Sequence, residues 1–407
     1  MLIITILLVV YATLGAAYWI MTAYGAVRLR RDVPSLNDPG AEEPRRWPKL
    51  SVVVPACNEA DKLEDAFRTL MAQDYPTLEL ILVDDRSTDG TGEIADRLGA
   101  LDARVSVVHI DTLPEGWLGK VHALDQGYAQ STGELVLFTD ADVHFAPGAL
   151  RKSAAYCERE ILDHLTLVPH LQSAGLVTDA IVASFLRPFM VLLARPWKVS
   201  DPKSGAFAGI GAFNMVRREA FERTEKFEWL RMEVGDDMAL GLLMKRSGAR
   251  CAVVTAFDEV ALTWHRSARE ALRASEKAYA PACRFSITRS VASAILMLGM
   301  ELSPLVLLAG FCWAALRVFG AVGVGLLAVE VITTAGIARW AHGRVLPSVL
   351  SPIASIIGAF ALVRAAVLGR RRDGIVWRGT RYSTETLRRG MRLSLGMSGT
   401  AREESKP

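Results

Sequence analysis

The chain has few cysteines, five in 407 residues, and they are widely spaced with no Cys-Xaa-Xaa-Cys pair among them. Their odd number and their spacing argue against a zinc ribbon and favour a reducing compartment. The excess of positive over negative charge is also small, because 47 basic residues nearly balance 44 acidic ones and leave a net charge of +3. The middle of the chain has no basic run, so nucleic acid is not an expected partner.

Charged side chains are absent from residues 2–27, and most of these residues are apolar. About 20 apolar residues are enough for a helix to cross a bilayer, so we predict an N-terminal transmembrane helix over residues 1–27. A cleaved signal peptide is the alternative, but such peptides carry positive charge before the apolar core, whereas here three arginines follow it within residues 28–31. Positive charge after the span places that side in the cytoplasm.

Apolar runs return near the other end, and we predict a C-terminal membrane region over residues 286–368. The arginine-rich tail, residues 369–407, is expected in the cytoplasm. A cytoplasmic domain and a cytoplasmic tail need an even number of crossings between them, so one of the three apolar blocks should not cross. Pro347 and Pro352 interrupt the third block, which we predict to be re-entrant or interfacial. The blocks are Val291 to Leu316, Val318 to Ala338 and Val345 to Val363.

Residues 28–49 contain four prolines among mixed charges, a composition that predicts a linker. From about residue 50, strand-like and helix-like runs alternate, and we place one domain over residues 50–285. Repeated βα units predict an α/β fold with a mostly parallel sheet and helices on both faces. Ligands of such sheets bind beyond the C-terminal ends of the strands.

Acidic residues lie at two of these strand ends. Asp84 and Asp85 end the second predicted strand, and Asp140 and Asp142 follow the fourth. Two carboxylates at one strand tip can converge on a hard divalent cation, which can in turn hold a diphosphate. An Asp-Xaa-Asp triplet also occurs often by chance, so its meaning depends on its neighbours.

The first strand ends in Val-Pro-Ala-Cys-Asn-Glu at residues 54–59, and the second in Val-Asp-Asp-Arg-Ser-Thr-Asp-Gly-Thr at residues 83–91. With the Asp-Ala-Asp triplet at residues 140–142, these sequences resemble the opening of an inverting family 2 glycosyltransferase of the GT-A fold. The resemblance covers roughly residues 50–285. It implies a Rossmann-like sheet and an enzyme that uses a nucleotide-sugar donor with a divalent cation, Mg²⁺ or Mn²⁺.

The resemblance assigns the donor nucleotide to residues at the first two strand tips. Asp84 and Asp85 would contact the uracil or the ribose, with turn formation and helix capping as the alternative. Pro55, Asn58 and Glu59 would lie against the same nucleotide, and Asn58 and Glu59 could instead form a turn and a helix cap.

A Gly-Lys step opens the helix-like run between these landmarks. Backbone amides at a helix start attract phosphate, and Lys120 adds a full charge. The sequence is not a P-loop, because the second Gly and the Ser or Thr are absent. By resemblance Lys120 binds the donor, Asp142 is the more direct metal ligand, and Asp140 shares the metal or reaches the ribose or the sugar.

An acceptor hydroxyl is a poor nucleophile until a base takes its proton. In the family, an acidic pair at the start of a later helix supplies this base, and the sequence Glu-Val-Gly-Asp-Asp at residues 233–237 matches it. Asp237 would be the base and Asp236 an orienting or capping partner. The alternative is an acidic first turn that complements the helix dipole. Residues 205–214, rich in glycine and alanine, resemble the family's acceptor-side floor.

Processive polysaccharide synthases carry a Gln-Xaa-Xaa-Arg-Trp box after the base, but residues 262–270 read Leu-Thr-Trp-His-Arg-Ser-Ala-Arg-Glu. This argues against a polymerase. Arg266 could steady the departing diphosphate and His265 could add a metal ligand, or both could be interface residues beside the membrane. Trp-Leu-Gly-Lys at residues 117–120 and Trp-Arg-Gly-Thr-Arg-Tyr at residues 377–382 resemble the membrane-anchored hopanoid-associated and carotenoid-type glycosyltransferases, which act on lipids.

The sequence therefore predicts a glycosyltransferase integral to a bacterial inner (cytoplasmic) membrane, with its catalytic domain in the cytoplasm. It would move one sugar from a nucleotide-sugar, with UDP as the expected nucleotide, to a membrane lipid. Two alternatives are a polyprenyl-phosphate sugar transferase or short polysaccharide synthase, and a catalytically silent membrane scaffold.

Overall fold

The computed structural model describes residues 2–38 and 43–393. The chain forms two units, each built from more than one segment. The helical unit comprises the residues up to 34, 169–197 and 255–384, and the sheet unit comprises residues 35–168, 198–254 and the residues from 385 onward.

The strands are β1 (Leu50–Ala56), β2 (Leu78–Asp85), β3 (Val105–Ile110), β4 (Leu135–Phe138), β5 (His144–Phe145), β6 (His164–Leu171), β7 (Asn214–Arg217), β8 (Cys251–Leu262), β9 (Ile375–Trp377) and β10 (Thr380–Tyr382). The first eight form one sheet in the order β3-β2-β1-β4-β7-β6-β8-β5, and β9 and β10 form a separate antiparallel pair. β1 runs parallel to β2 and β4, and β2 runs parallel to β3, whereas β7 is antiparallel to β4 and β6. The predicted α/β fold with a mostly parallel sheet is confirmed.

The helices are α1 (Leu2–Asp32), α2 (Leu63–Met71), α3 (Thr91–Leu101), α4 (Gly119–Gln130), α5 (Ala149–Arg159), α6 (Leu176–Pro188), α7 (Arg218–Glu222), α8 (Lys226–Leu230), α9 (Asp236–Arg246), α10 (Ala268–Ala282), α11 (Ile287–Glu301), α12 (Ser303–Leu308), α13 (Arg317–Trp340), α14 (Val345–Val349), α15 (Ser351–Arg371) and α16 (Thr384–Gly390). Every residue of β1 is buried, and β2 is buried except at Glu79. Such continuous burial is expected of parallel strands that are covered on both faces.

Within the described residues, four helical stretches are long and apolar enough to cross a membrane. A fifth candidate is a pair, α11 followed by a segment over Ser303–Cys312, that bends by 58°. The bend follows Glu301, so the first predicted C-terminal block is two helices rather than one. The four long stretches are Leu2–Asp32, Leu176–Lys198, Ala314–Trp340 and Ser351–Arg371.

Packing within the helical unit shows that α13 runs parallel to α1. Leu326, in the middle of α13, shares an apolar cluster with Ala12 and Trp19. Trp340, the last residue of α13, packs instead beside Leu29, near the end of α1. The end of α13 therefore lies beside the end of α1, from which the chain enters the sheet unit.

Chain connections restrict which candidates can cross a membrane once. Residues 169–197 leave the sheet unit and return to it, so α6 and its continuation cannot carry the chain across. α13 ends beside the end of α1, and the chain re-enters the sheet unit at residue 385. We therefore expect α14 and α15 together to enter the membrane and return, and the predicted re-entrant or interfacial third block stays a prediction. In a membrane, α1, the bent pair and α13 would cross.

The boundaries differ from the predicted ones. The domain predicted over residues 50–285 is interrupted by residues 169–197 and gives way to the helical unit at residue 255. Arg187, Arg195 and Pro188 interrupt the apolar run around α6, which is why it did not stand out in the sequence. The first helix extends to Asp32, and the tail predicted from residue 369 begins inside α15. Residues 39–42 of the linker and 394–407 of the tail lie outside the described part of the chain.

Candidate active site

The predicted acidic residues of the sheet unit lie at strand ends and helix starts. β1, β2 and β4 are parallel neighbours, so their carboxyl ends meet at one edge of the sheet. Two helices begin with further predicted residues, Lys120 in α4 and the pair Asp236 and Asp237 in α9. Asp84 and Asp85 end β2, whereas Asp140 and Asp142 follow β4.

Lys120 forms ion pairs with a carboxylate after β4 and with the first member of the acidic pair in α9. Its ammonium Nζ lies 2.7 Å from Asp140 Oδ1 and 3.2 Å from Asp236 Oδ2. Burial would lower the pKa of Lys120, but the charges of Asp140 and Asp236 outweigh it and raise the pKa above its ordinary value. The sequence predicted that Lys120 binds the donor, and it did not predict these ion pairs. Contact between Lys120 and the donor stays a prediction.

Asp236 and Asp237 have different surroundings although they are adjacent. Asp236 is 7% exposed and pairs with Lys120, whereas Asp237 is more accessible. Asp237 Oδ2 accepts a hydrogen bond from the Gly211 N–H at 3.0 Å, and its Oδ1 accepts one from the Met238 N–H at 2.7 Å. Burial, and then the neighbouring charge of Asp236, raise the pKa of Asp237 to about 6. A carboxylate with this pKa suits a general base near neutral pH.

The glycine-rich segment at residues 205–214 contacts Asp140 and Asp237 through its backbone. Gly211 donates to Asp237, and its carbonyl oxygen accepts the N–H of Asp140 at 3.0 Å. A Cβ on Gly211 would lie 2.4 Å from Asp140 Oδ2, and one on Gly209 would lie 1.8 Å from the Asp237 carbonyl oxygen. Close backbone contact therefore explains these glycines. The predicted acceptor floor stays a prediction, and the role of Gly211 was not foreseen, although the run of glycines was its signal.

Asp142 lies beside a lysine that sequence reasoning missed, Lys62, whose Nζ is 3.3 Å from Asp142 Oδ2. Burial first, and then the charge of Asp140, raise the pKa of Asp142, while Lys62 opposes this shift. Among the described residues, no three His, Cys, Asp or Glu side chains are gathered as a metal cluster. Mg²⁺ and similar ions are often bound by one or two carboxylates together with substrate phosphates, so Asp140 and Asp142 fit a cation shared with a donor diphosphate.

The β2 carboxylates are engaged with neighbouring side chains. Asp85 is fully buried and accepts a hydrogen bond from Arg86 Nε at 2.8 Å. Asp84 Oδ1 accepts the Ser87 N–H at 3.3 Å, and its Oδ2 lies 3.1 Å from Nδ1 of His109. The turn foreseen as the alternative is thus present, and contact of either carboxylate with a nucleotide stays a prediction.

The first predicted turn is also built as a turn. Asn58 has a φ of 56°, and its Oδ1 accepts the Thr88 N–H at 2.8 Å. The Glu59 N–H donates to Thr91 Oγ1 at 2.9 Å. These bonds tie the loop after β1 to the loop after β2, and they give Asn58 a structural role beside any contact with a donor. For Pro55, in β1 opposite Val83, nucleotide contact also stays a prediction.

His265 and Arg266 belong to the helical unit, not to the unit that carries the carboxylates. The ring of His265 stacks on Trp264 with centroids 5.1 Å apart, and the Arg266 N–H donates to Glu270 Oε2 at 3.0 Å. Their predicted roles toward the metal and the diphosphate stay predictions.

Glu233 is a further residue that the sequence did not single out. Its buried carboxylate accepts the N–H of Gly235 at 3.0 Å, just before α9 begins. The other oxygen accepts the N–H groups of Arg392 and Leu393 at 2.6 and 2.9 Å. Glu233 therefore fixes the described end of the chain to the loop that precedes Asp236.

The site as a whole combines acidic charge with a small, partly open recess. Its lining includes Lys120, Asp140, Asp236 and Asp237 together with apolar side chains such as Phe227. Three carboxylates face one ammonium here, which leaves an excess of negative charge that favours a cation. Carboxylates at the carboxyl edge of a parallel sheet can have different roles when their surroundings differ. One can act as a base while another binds a metal.

Comparison with known proteins identifies the matched segment. Residues 51–224 match the model of Glycosyl transferase family 2. The prediction of a family 2 glycosyltransferase domain is confirmed for this segment. The matched segment contains the β1, β2 and β4 strand ends and Lys120, whereas the acidic pair of α9 lies beyond it.

Two curated relatives illustrate the range of similar enzymes. The chain is 36% identical over 103 residues to the GalNAc(5)-diNAcBac-PP-undecaprenol beta-1,3-glucosyltransferase of Campylobacter jejuni, which is 25% of this chain and 32% of the relative. It is 36% identical over 94 residues to the 4,4'-diaponeurosporenoate glycosyltransferase of Staphylococcus haemolyticus, which is 23% of this chain and 24% of the relative. The chain thus spans about a third or less of the length of these two relatives. The hopanoid or carotenoid branch stays a prediction.

A solved structure with a similar fold is the mannosyltransferase PcManGT from Pyrobaculum calidifontis, determined in complex with GDP-Man and Mn²⁺. The match has a TM-score of 0.53 and 21% identity, and it covers 90% of this chain and 99% of the other. At this identity the likeness establishes the fold, and the predicted GT-A-like architecture is confirmed.

Proposed function

We propose that this protein is an inverting glycosyltransferase that moves one sugar from a nucleotide-sugar, with UDP as the proposed nucleotide, to a lipid of the bacterial inner membrane. The observation that carries the proposal is the joining of Asp140, Lys120 and Asp236 by ion pairs beside the raised-pKa Asp237. The fold likeness and the family match support the donor class.

Asp237 would take the proton of the acceptor oxygen as that oxygen attacks the anomeric carbon. The new carbon–oxygen bond forms on the face opposite the bond to the diphosphate. That bond breaks, and the diphosphate leaves with its electron pair, so the anomeric centre is inverted. Lys120 holds Asp236 and Asp140 in place beside the base. A divalent cation at Asp140 and Asp142, when bound, would stabilise the charge that builds on the diphosphate.

A lipid acceptor is supported by the apolar helices of the helical unit. One similar relative is named for an undecaprenol-linked substrate and another for a carotenoid acid. A membrane location with the sheet unit in the cytoplasm is proposed from the arginines that follow the first span.

The decisive experiment incubates the purified full chain with UDP-sugars and GDP-mannose in the presence of bacterial lipid extract and Mg²⁺ or Mn²⁺. One lipid should gain the mass of a single sugar, and Asp237→Asn should abolish the gain. Asp65→Asn, an exposed aspartate of α2, is the matched control and should remain active.

Other products would redirect the assignment. A sugar on a lipid phosphate would indicate a polyprenyl-phosphate transferase, and a ladder of masses would indicate a polysaccharide synthase. No transfer, together with no binding of nucleotide-sugar and metal by calorimetry, would favour a silent scaffold.

A further inference from the structure

An apolar groove lies entirely within the helical unit, between α6, α10 and α15. About 670 Å³ of empty space, part of it open to solvent, lies between its walls. Phe185, Trp264 and Tyr279 form an aromatic wall, with the Phe185 ring 5.8 Å from Trp264 and 6.1 Å from Tyr279. Small residues, among them Ala278, Gly358 and Ala361, leave the space open.

The walls of this groove belong to the two segments that should enter the membrane and return, α6 and α15. α15 also presents Ile353, Ile356 and Phe360 as exposed side chains, 50 to 58% accessible. The apolar groove is therefore continuous with an apolar face that a bilayer would cover. Backbone that enters a bilayer without crossing it is tolerated where it is buried in protein or lines a cavity.

The third wall has the character of a helix at a membrane surface. α10 exposes Arg269, Arg273 and Lys277 at a spacing of four residues, which places them on one face, while Ala271 and Ala280 are buried. Basic amphipathic helices lie at the headgroup level of membranes, where tryptophans such as the partly exposed Trp264 are also enriched. No acidic residue lines the groove, and its charged or titratable lining residues are Lys277, His265 and Tyr279.

We propose that this groove binds the hydrocarbon part of the lipid acceptor and that Lys277 and His265 face its polar end. The proposal rests on the proposed function and adds the site at which the lipid is held. An apolar wall with a basic end matches an amphiphile, whereas the hydroxyl groups of a soluble sugar acceptor would find few polar partners among the alanine, leucine and isoleucine side chains of the groove.

Filling the groove should weaken the binding of the lipid and leave the binding of the nucleotide-sugar unchanged. Gly358 lines the groove, and a Cβ there would make only ordinary contacts, 3.7 Å to Met297 and 4.0 Å to Ser184, so Gly358→Leu adds volume at the groove wall without a backbone clash. We expect the KM for the lipid to rise at least about tenfold, with the KM for the nucleotide-sugar unchanged. Gly325→Leu adds the same side chain at an exposed glycine of α13 with open space around it, and it should leave both KM values unchanged.

A second measurement maps the site directly. A fatty alcohol of 16 carbons with a chain diazirine should label peptides of α6, α10 and α15 on irradiation, and Gly358→Leu should reduce this labelling while Gly325→Leu does not. Wild-type transfer to lipid, with an unchanged lipid KM and unchanged labelling in Gly358→Leu, would overturn the groove and leave the function standing. Wild-type protein that binds nucleotide-sugar but transfers nothing to any lipid would instead overturn the proposed function.

Discussion

Asp236 and Asp237 are adjacent carboxylates with different roles. Asp236 forms an ion pair with Lys120, whereas Asp237 is the carboxylate that we expect to titrate in the working pH range. Because burial and Asp236 raise the pKa of Asp237 from 3.8 to about 6, transfer should increase as pH rises through about 6. The folded state binds a proton here that the unfolded chain has already released, so this group contributes a loss of stability over the same rise. Asp236→Asn removes one raising charge and should move the acidic limb of a kcat–pH profile to lower pH. An unmoved limb would contradict the assignment.

Gly211 links the strand end to the base through its backbone. Gly211→Ala would place a Cβ 2.4 Å from Asp140 Oδ2, so either Asp140 or the donor to Asp237 must shift. We expect kcat/KM for sugar transfer to fall at least about tenfold, because small displacements of reacting groups are costly. Gly205→Ala, in the same segment with open space around it, should be neutral. Equal activity of the two variants would show that Gly211 does not position the site.

At the scale of elements, the described end of the chain is held to the α9 loop by Glu233. Glu233→Gln replaces an acceptor oxygen by an amide that faces N–H donors, at a cost of about 1–3 kcal/mol. Shortening the chain after Met391 removes two of the donors, whereas shortening it after Leu393 keeps them. The first truncation should lower the thermal midpoint and kcat, and the second should not. Identical behaviour of the two truncations would contradict this role.

The breaks in the apolar helices meet at one buried ion pair. Arg187 lies just before the π-helical turn that follows α6, and Glu301 is the last residue before the 58° bend. The two side chains form an ion pair, Tyr18 donates to Glu301, and Arg187 Nη1 donates to Ser351 Oγ at 3.0 Å at the start of α15. The guanidinium of Arg187 also lies 5.0 Å from the ring centroid of Trp19.

Breaking this pair should be more harmful than replacing it. Arg187→Met leaves a buried carboxylate without its partner and should cost about 3–5 kcal/mol of folding free energy. The double variant Arg187→Met with Glu301→Met should recover much of this loss, because two apolar side chains need no partner. Unfolding in detergent measures both variants. A double variant that is less stable than the single one would indicate that the polar pair itself is required.

At the scale of the whole molecule, the connections between the two units predict the membrane topology. We expect the segment at residues 313–316 to lie outside the cytoplasm and the segment at residues 341–344 to lie in the cytoplasm. The exposed Cys312 should therefore react with an impermeant maleimide added to intact cells. Gly343→Cys, in a Cys312→Ser background, should react only after permeabilisation. Labelling of Gly343→Cys in intact cells would mean that α14 and α15 cross the membrane once.

The sequence predicted the sheet, and the strand ends at which the candidate site lies, because both depend on local patterns. Alternating apolar and amphipathic runs marked β1 to β4, and strand-end acids marked Asp84 and Asp140. The ion pairs of Lys120 depend on the packing of α4 beside α9, which no local pattern reports. α6 was missed for a related reason, since Arg187 looked unfit for a membrane until its partner Glu301, 114 residues away, was brought beside it.

The sheet unit is assembled from three separated stretches of chain, and this has a consequence for how the protein is made. Both intervening stretches belong to the helical unit, so β7 and α9 are synthesised only after α6. Asp140 and Asp237 thus lie on opposite sides of an apolar insertion in the sequence. No single cut in the chain would release the sheet unit as one continuous fragment, so we expect recombinant production of the active site to require a membrane or detergent.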